Sequence, residues 1–166
     1  QGGGRDIDAL FETPPASSRA VLNGDPSEGA IEISTFDVAP APLDGYAPIG
    51  EDNQDTAGAF VIFQQLLGLA RDGTRINSLR ELAASWRGDR SWVYLSNDDE
   101  KAVAALWVVE WSAPDAAARF AESMNGRVLA RGALRAKVTG NRTELVAVDR
   151  TSDLDAWSAR LTEGLP

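Results

Sequence analysis

The stretch that decides the fold is residues 84–111, ASWRGDRSWVYLSNDDEKAVAALWVVEW, which holds four of the five tryptophans. After Gly88 the apolar period changes from helical spacing to two. "SWVYLS" (91–96) and "AVAALWVVEW" (102–111) are rich in β-branched and aromatic residues. The polar loop "NDDEK" between them has hairpin length, so the segment predicts two antiparallel strands. In the second strand Val103, Ala105, Trp107, Val109 and Trp111 share one face, and Leu106 and Val108 share the other. Both faces are largely apolar, which predicts a central strand covered by helices.

Helical patterns surround this pair. Upstream, "NSLRELAASW" places Leu79, Leu82, Ala83 and Trp86 on one side, with Asn77 or Ser78 as cap. Before it, "QDTAGAFVIFQQLLGLARDG" predicts a longer helix. Asp55 or Thr56 would cap it, Asp72-Gly73 would end it, and Phe60, Phe63, Leu66, Leu67 and Ala70 would form its apolar face. Downstream, Ser112 is expected to cap a helix running through Met124, with Pro114 in its first turn and Asp115 completing a capping box. Phe120, Ala121 and Met124 form its stripe, and Asn125-Gly126 stops it.

"RVLARGALRAKVTGNRTELVAVDR" predicts two or three further strands that turn at Gly140-Asn141. "TSDLDAWSARLTEGL" predicts a closing helix capped by Ser152 or Asp153, with Leu154, Trp157 and Leu161 buried. The fold class is α+β: an antiparallel sheet of about four to five strands packed with three to four helices.

The first third reads differently. "RDIDALFETPP" and "ASSRAVLNGDP" each allow a short helical piece, and "AIEIST" allows a short strand. "FDVAPAPLDGYAPIGEDNQD" carries three spaced prolines and is expected to be extended. The formal net charge is −9, and residues 1–55 account for all of it, with 11 carboxylates against Arg5 and Arg19. The division expected is an acidic, Pro/Gly-rich arm or connector over 1–51 and an α+β domain over 52–166.

Composition narrows the chemistry. The chain has no His and no Cys. That removes disulfides, thiol nucleophiles, Ser-His-Asp triads and zinc sites built on imidazole or thiolate. No cofactor or metal is implied. Nucleic acid is an unsuitable partner for so acidic a chain, because that affinity rests on concentrated positive charge. No apolar run reaches the length of a membrane span. Gln1 in place of an initiator Met suggests a processed form or an excised fragment.

Two features invite a binding role. Arg87-Gly88-Asp89 has the form of an adhesion triplet, but three residues carry little information. Trp86, Gly88, Asp89 and Arg90 read better as a structural motif, in which Gly88 turns the chain from helix to strand and Asp89 accepts from nearby backbone amides. Trp92, Trp107 and Trp111 could form an exposed aromatic platform for peptide or glycan. The alternative is that helices cover them. "GEDNQD" lacks the spacing of a calcium loop, and Asp98-Asp99-Glu100 reads as a hairpin tip.

Several phrases in order resemble a group of secreted or lipoprotein-like bacterial and archaeal proteins identified as zinc metallopeptidases. They are "GGGRDIDALFETPPASSRAVLNGDP", "TAGAFVIFQQLLG", "AASWRGDRSWVY" and "ALWVVEWSAPDAAARFAESM". In that group an HExxH helix lies well upstream. Here no His exists, Asn23 stands where the group tends to have His, and a Glu expected near Gly58 is missing. The resemblance implies the downstream, non-catalytic region of such a protein. It would be an extracytoplasmic auxiliary domain for structural support or substrate presentation, with no chemistry of its own. Its expected partner is a catalytic domain of the same parent chain, or another protein.

Overall fold

A computed structural model describes residues 14, 16–24, 36, 39–50, 54–69, 75–98, 100–125, 127 and 129–164. The helix expected in "RDIDALFETPP", the strand in "AIEIST" and the Asp72-Gly73 helix end lie outside these residues. Five α-helices are described: α1 (Ser18–Asn23), α2 (Gly58–Leu69), α3 (Ile76–Ala84), α4 (Pro114–Asn125) and α5 (Leu154–Gly164). A short 3₁₀ turn, Thr151–Asp153, precedes the last. Six strands are described: β1 (Tyr46–Pro48), β2 (Gln54–Asp55), β3 (Trp86–Ser96), β4 (Val103–Trp111), β5 (Ala133–Thr139) and β6 (Arg142–Val148).

All pairings are antiparallel, in the order β1-β3-β4-β6-β5, with β2 also bonded to β3. The α+β class holds, with one strand and one helix more than expected. The added strand edge comes from the arm, whose Tyr46–Pro48 pairs with Tyr94–Ser96. The hairpin of 84–111 forms as β3 and β4, and β4 is central.

Two cores lie on opposite faces of the sheet. On one, α1 to α4 cover Trp86, Val109, Trp111, Ala136 and Leu145, and bring in Leu22, Ile62, Leu66, Leu82 and Phe120. On the other, α5 packs Trp157 and Leu161 against Trp92, Tyr94, Leu106, Val108, Val146 and Val148. The alternation of β4 explains this split: odd positions meet the first core and even positions meet the second. Leu154, Trp157 and Leu161 take the inward positions expected of α5.

The expected boundary after residue 51 does not divide the packing. Leu22 of α1 belongs to the first core, while Phe36 and Tyr46 belong to the second. The cause is that apolar residues of the arm find open core surface, and its acidic side chains do not prevent this.

Other differences concern helix faces and ends. In α2 the buried residues are Ala59, Ile62 and Leu66, with Phe63 partly buried, whereas Phe60 and Leu67 are 42% and 38% exposed. The helix is apolar nearly all round, so spacing alone could not select the inward side. Helix α3 starts at Ile76 after Arg75, which makes no side-chain cap bond. Asn77 and Ser78 lie inside its first turn. Helix α4 opens with the Ala117 N–H on the Ala113 carbonyl at 3.4 Å, so Ala113 holds the cap position expected of Ser112.

Candidate functional site

The centre of 84–111 is organised by one carboxylate. Helix α3 ends at Ala84, Ser85 closes it, and Trp86 already belongs to β3. A register shift between Trp86 and Gly88 marks a bulge opposite Trp111 and Glu110. Gly88 and Asp89 are therefore strand residues, not the turn expected of them. The bulge adds one residue on this strand, which re-aims the side chains that follow it. Asp89 then points into the first core, where it is 3% exposed.

Four N–H groups converge on Asp89. Its Oδ1 accepts from Gly58 N at 2.8 Å and from Trp86 Nε1 at 2.8 Å. Its Oδ2 accepts from Ala57 N at 2.7 Å and from Trp107 Nε1 at 3.0 Å. Asp89 is thus the cap of α2, supplied from across the fold. Asp55 and Thr56, the alternative caps expected from sequence, do other work: Asp55 accepts from Thr56 N at 2.7 Å, and Thr56 Oγ1 donates to the Asp89 carbonyl at 3.3 Å. The next helix amide, Ala59 N, donates to Ser18 Oγ of α1 at 3.0 Å.

This close approach needs the glycine at 58. Gly58 has φ 73°, and a Cβ there would lie 2.7 Å from Ser18 Oγ.

The chemistry open to this carboxylate follows from its acceptor count. A carboxylate offers about four lone-pair positions, and four donors occupy them. None is left to take a proton from a substrate or to ligate a metal. The arrangement ties α2, β3 and β4 into one unit and orients two indoles.

The structure brings Trp86, Asp89 and Trp107 together and separates the rest of the expected set. Trp92 pairs with Leu106 and points into the second core, so it lies on the opposite face from Trp107 and Trp111. Trp92 and Trp111 are fully buried, and Trp107 is half-buried with its edge against Phe120. An aromatic platform of Trp92, Trp107 and Trp111 does not form. Register decides this: positions 92 and 107 have opposite parity across the hairpin. Trp111 is anchored instead through Nε1 to Thr143 Oγ1 at 3.1 Å, whose hydroxyl donates to the Ala117 carbonyl at 3.0 Å. Arg90 projects on the α5 side of β3, away from Asp89.

Sequence reasoning missed a shallow groove between α5 and β5. It is open to solvent, has a volume of about 370 Å³ and is lined by Arg135, Lys137, Ser158, Ala159, Thr162 and Glu163. Its two cationic side chains are paired. Arg135 Nη1 meets Asp155 Oδ1 at 2.6 Å, and Lys137 Nζ stands 3.8 Å from the buried Glu144. Thr162 Oγ1 lies 2.9 Å from Glu144 Oε2, and Ser158 donates to its own helix at Leu154 O, 2.7 Å away. The one carboxylate beside a hydroxyl, Glu144 at Thr162, is engaged by Lys137 as well, and the Ser158 proton is held by the Leu154 carbonyl. Alternation along β5 with the 158/162 helical spacing would have paired these residues, had the contact between β5 and α5 been known.

A third cluster closes the β3–β4 hairpin. Arg150 forms ion pairs with Asp98 and Glu100, and Ser96 Oγ donates to Asp98 Oδ1 at 2.7 Å. The Ser96 bond, with Arg150 second, holds the Asp98 carboxyl below its usual range. Nearby, Tyr46 Oη donates to Asp153 Oδ2 at 2.7 Å. Burial, then the Asp153 bond and charge, push the Tyr46 phenol up to about 12. Among the described residues no group of three or more acidic side chains is placed to hold a metal ion, and no helix is long and apolar enough to cross a membrane.

Residues 45–160 match a family model described as a domain of unknown function, DUF8575. The chain belongs to this family. The match opens at β1 and ends within α5, so it takes in all six described strands and most of both cores, while Leu22, Phe36 and Leu161 lie outside it. No curated protein and no solved structure matches the chain.

Proposed function

We propose that the chain is a non-catalytic auxiliary module that acts by packing against another protein domain. The observation that carries this reading is the outer side of the helical layer. Phe60 and Leu67 lie two turns apart on one side of α2, with Val61 beside them, and all three are exposed. Val21 of α1 and Ile76 of α3 add 52% and 62% exposed side chains to the same layer. Apolar residues gathered on one layer mark surfaces that other proteins cover. The saturation of Asp89 and the paired cationic side chains of the α5–β5 groove also favour a supporting role over a chemical one.

The phrases shared with the metallopeptidase-like group supply the candidate partner: a catalytic domain of an extracytoplasmic parent protein. Hydrogen exchange tests this directly. In the longer reading frame that the proposal requires, amides of 58–69 should exchange more slowly than in the chain alone. Phe60→Glu with Leu67→Glu should erase the difference. Equal exchange in both contexts, or a difference untouched by the glutamates, rules the reading out.

A further inference from the structure

We infer that Asn125 closes the β5 edge of the sheet against strand addition by a second copy of this chain. Among the described residues, strand β5 is an outer strand, paired only with β6. Such an edge presents a row of N–H and C=O groups to any chain that can lie beside it. At its middle, Ala136 N donates to Asn125 Oδ1 at 2.7 Å, and Ala136 O accepts from Asn125 Nδ2 at 2.9 Å. One carboxamide thus makes both bonds that a neighbouring strand would make. Asn125 is the last residue of α4, so the helix end delivers the amide to the edge.

The rest of the edge suits self-pairing. In an antiparallel ladder the N–H and C=O of one residue face the same side, and the side alternates along the strand. Since Ala136 faces outward, so do Leu134 and Val138. A two-fold axis through Ala136 would set Leu134 of one copy opposite Val138 of the other. Val138 is exposed, and all three side chains share one sheet face. The edge is therefore self-complementary in backbone, with Ala136 and Leu134 packed on the first core and Val138 exposed. The same axis sets Arg135 opposite Lys137 of the second copy, and since each has its own carboxylate partner these charges do not decide the pairing.

Light scattering coupled to gel filtration tests the inference. The natural chain should run at its monomer mass of 17.7 kDa up to millimolar concentration. Asn125→Ala should shift toward about twice that mass as concentration rises. Adding Val138→Pro should restore the monomer, because an outward-facing N–H can be lost without breaking the ladder to β6. Far-UV circular dichroism must match in all three proteins. A folded Asn125→Ala chain that stays monomeric overturns the inference. So does association that survives Val138→Pro, or a natural chain that already dimerises and loses this on Val138→Pro.

Discussion

Replacing Asp89 by alanine is the sharpest test of how 84–111 is built. The change removes the acceptor of four N–H groups. Two of these bonds, from Gly58 N and Trp86 Nε1, are buried. A buried donor left without a partner costs about 1–3 kcal/mol, so these two alone cost about 2–6 kcal/mol. The Ala57 and Trp107 donors are only partly buried, and water can replace much of what they lose. With a loss of about 4 kcal/mol and a urea slope of about 2 kcal/mol per molar, the midpoint should fall by about 2 M. Asp89→Asn should lie between the two proteins, because it keeps one acceptor oxygen and turns an NH₂ group toward two donors. Urea unfolding followed by tryptophan fluorescence reads the midpoint, and hydrogen exchange reads the amides of Ala57 and Gly58. A midpoint change under about 0.5 M for Asp89→Ala would refute the idea that this carboxylate holds α2 to the sheet.

Three further outcomes are expected. Ile62→Ala should cost about 2–5 kcal/mol while Phe60→Ser costs about 0.5 kcal/mol or less, both by urea unfolding; the reverse order would mean that α2 is rotated. Gly132 has φ 79°, and a Cβ there would sit 1.8 Å from the Val148 carbonyl oxygen, so Gly132→Ala should lower the melting temperature by several degrees. A neutral melt equal to the natural protein would contradict that geometry. Tyr46 is favoured in its protonated form on folding, with its phenol near 12 against an ordinary 10. Its contribution is complete below pH 10 and is lost as pH rises from 10 through 12. Alkaline titration at a phenolate wavelength should show Tyr46 ionising late in the folded chain, and Tyr46→Phe should reduce the late absorbance change by one phenolate.

Much of the fold was legible because it depends on local periodicity. The hairpin of β3 and β4, the Gly140-Asn141 turn and the buried stripe of α5 are each carried by residues within one short window. The bilateral cover of β4 was legible too, since both of its parities are apolar. What failed was orientation. Helix α2 offers apolar residues on every side, so only its neighbours decide that Ile62 goes in and Phe60 stays out. The arm failed similarly: its prolines and carboxylates describe an extended path, while the burial of Phe36 and Tyr46 depends on a core elsewhere in the chain.

The candidate site divides along the same line. The sequence by itself determined that Trp86 to Trp92 is where helix gives way to sheet, that Asp89 would accept from amides, and that no imidazole or thiol is present to work with. Only the tertiary structure decided which amides those are. The carboxylate's partners at Ala57, Gly58 and Trp107 lie 18 or more residues away, brought there by the packing of α2 and the register of the hairpin. Register also decided that Trp92 and Trp107 face opposite sides. A hydrogen bond is satisfied by position in space, and residues far apart in the chain acquire that position only when the cores close around them.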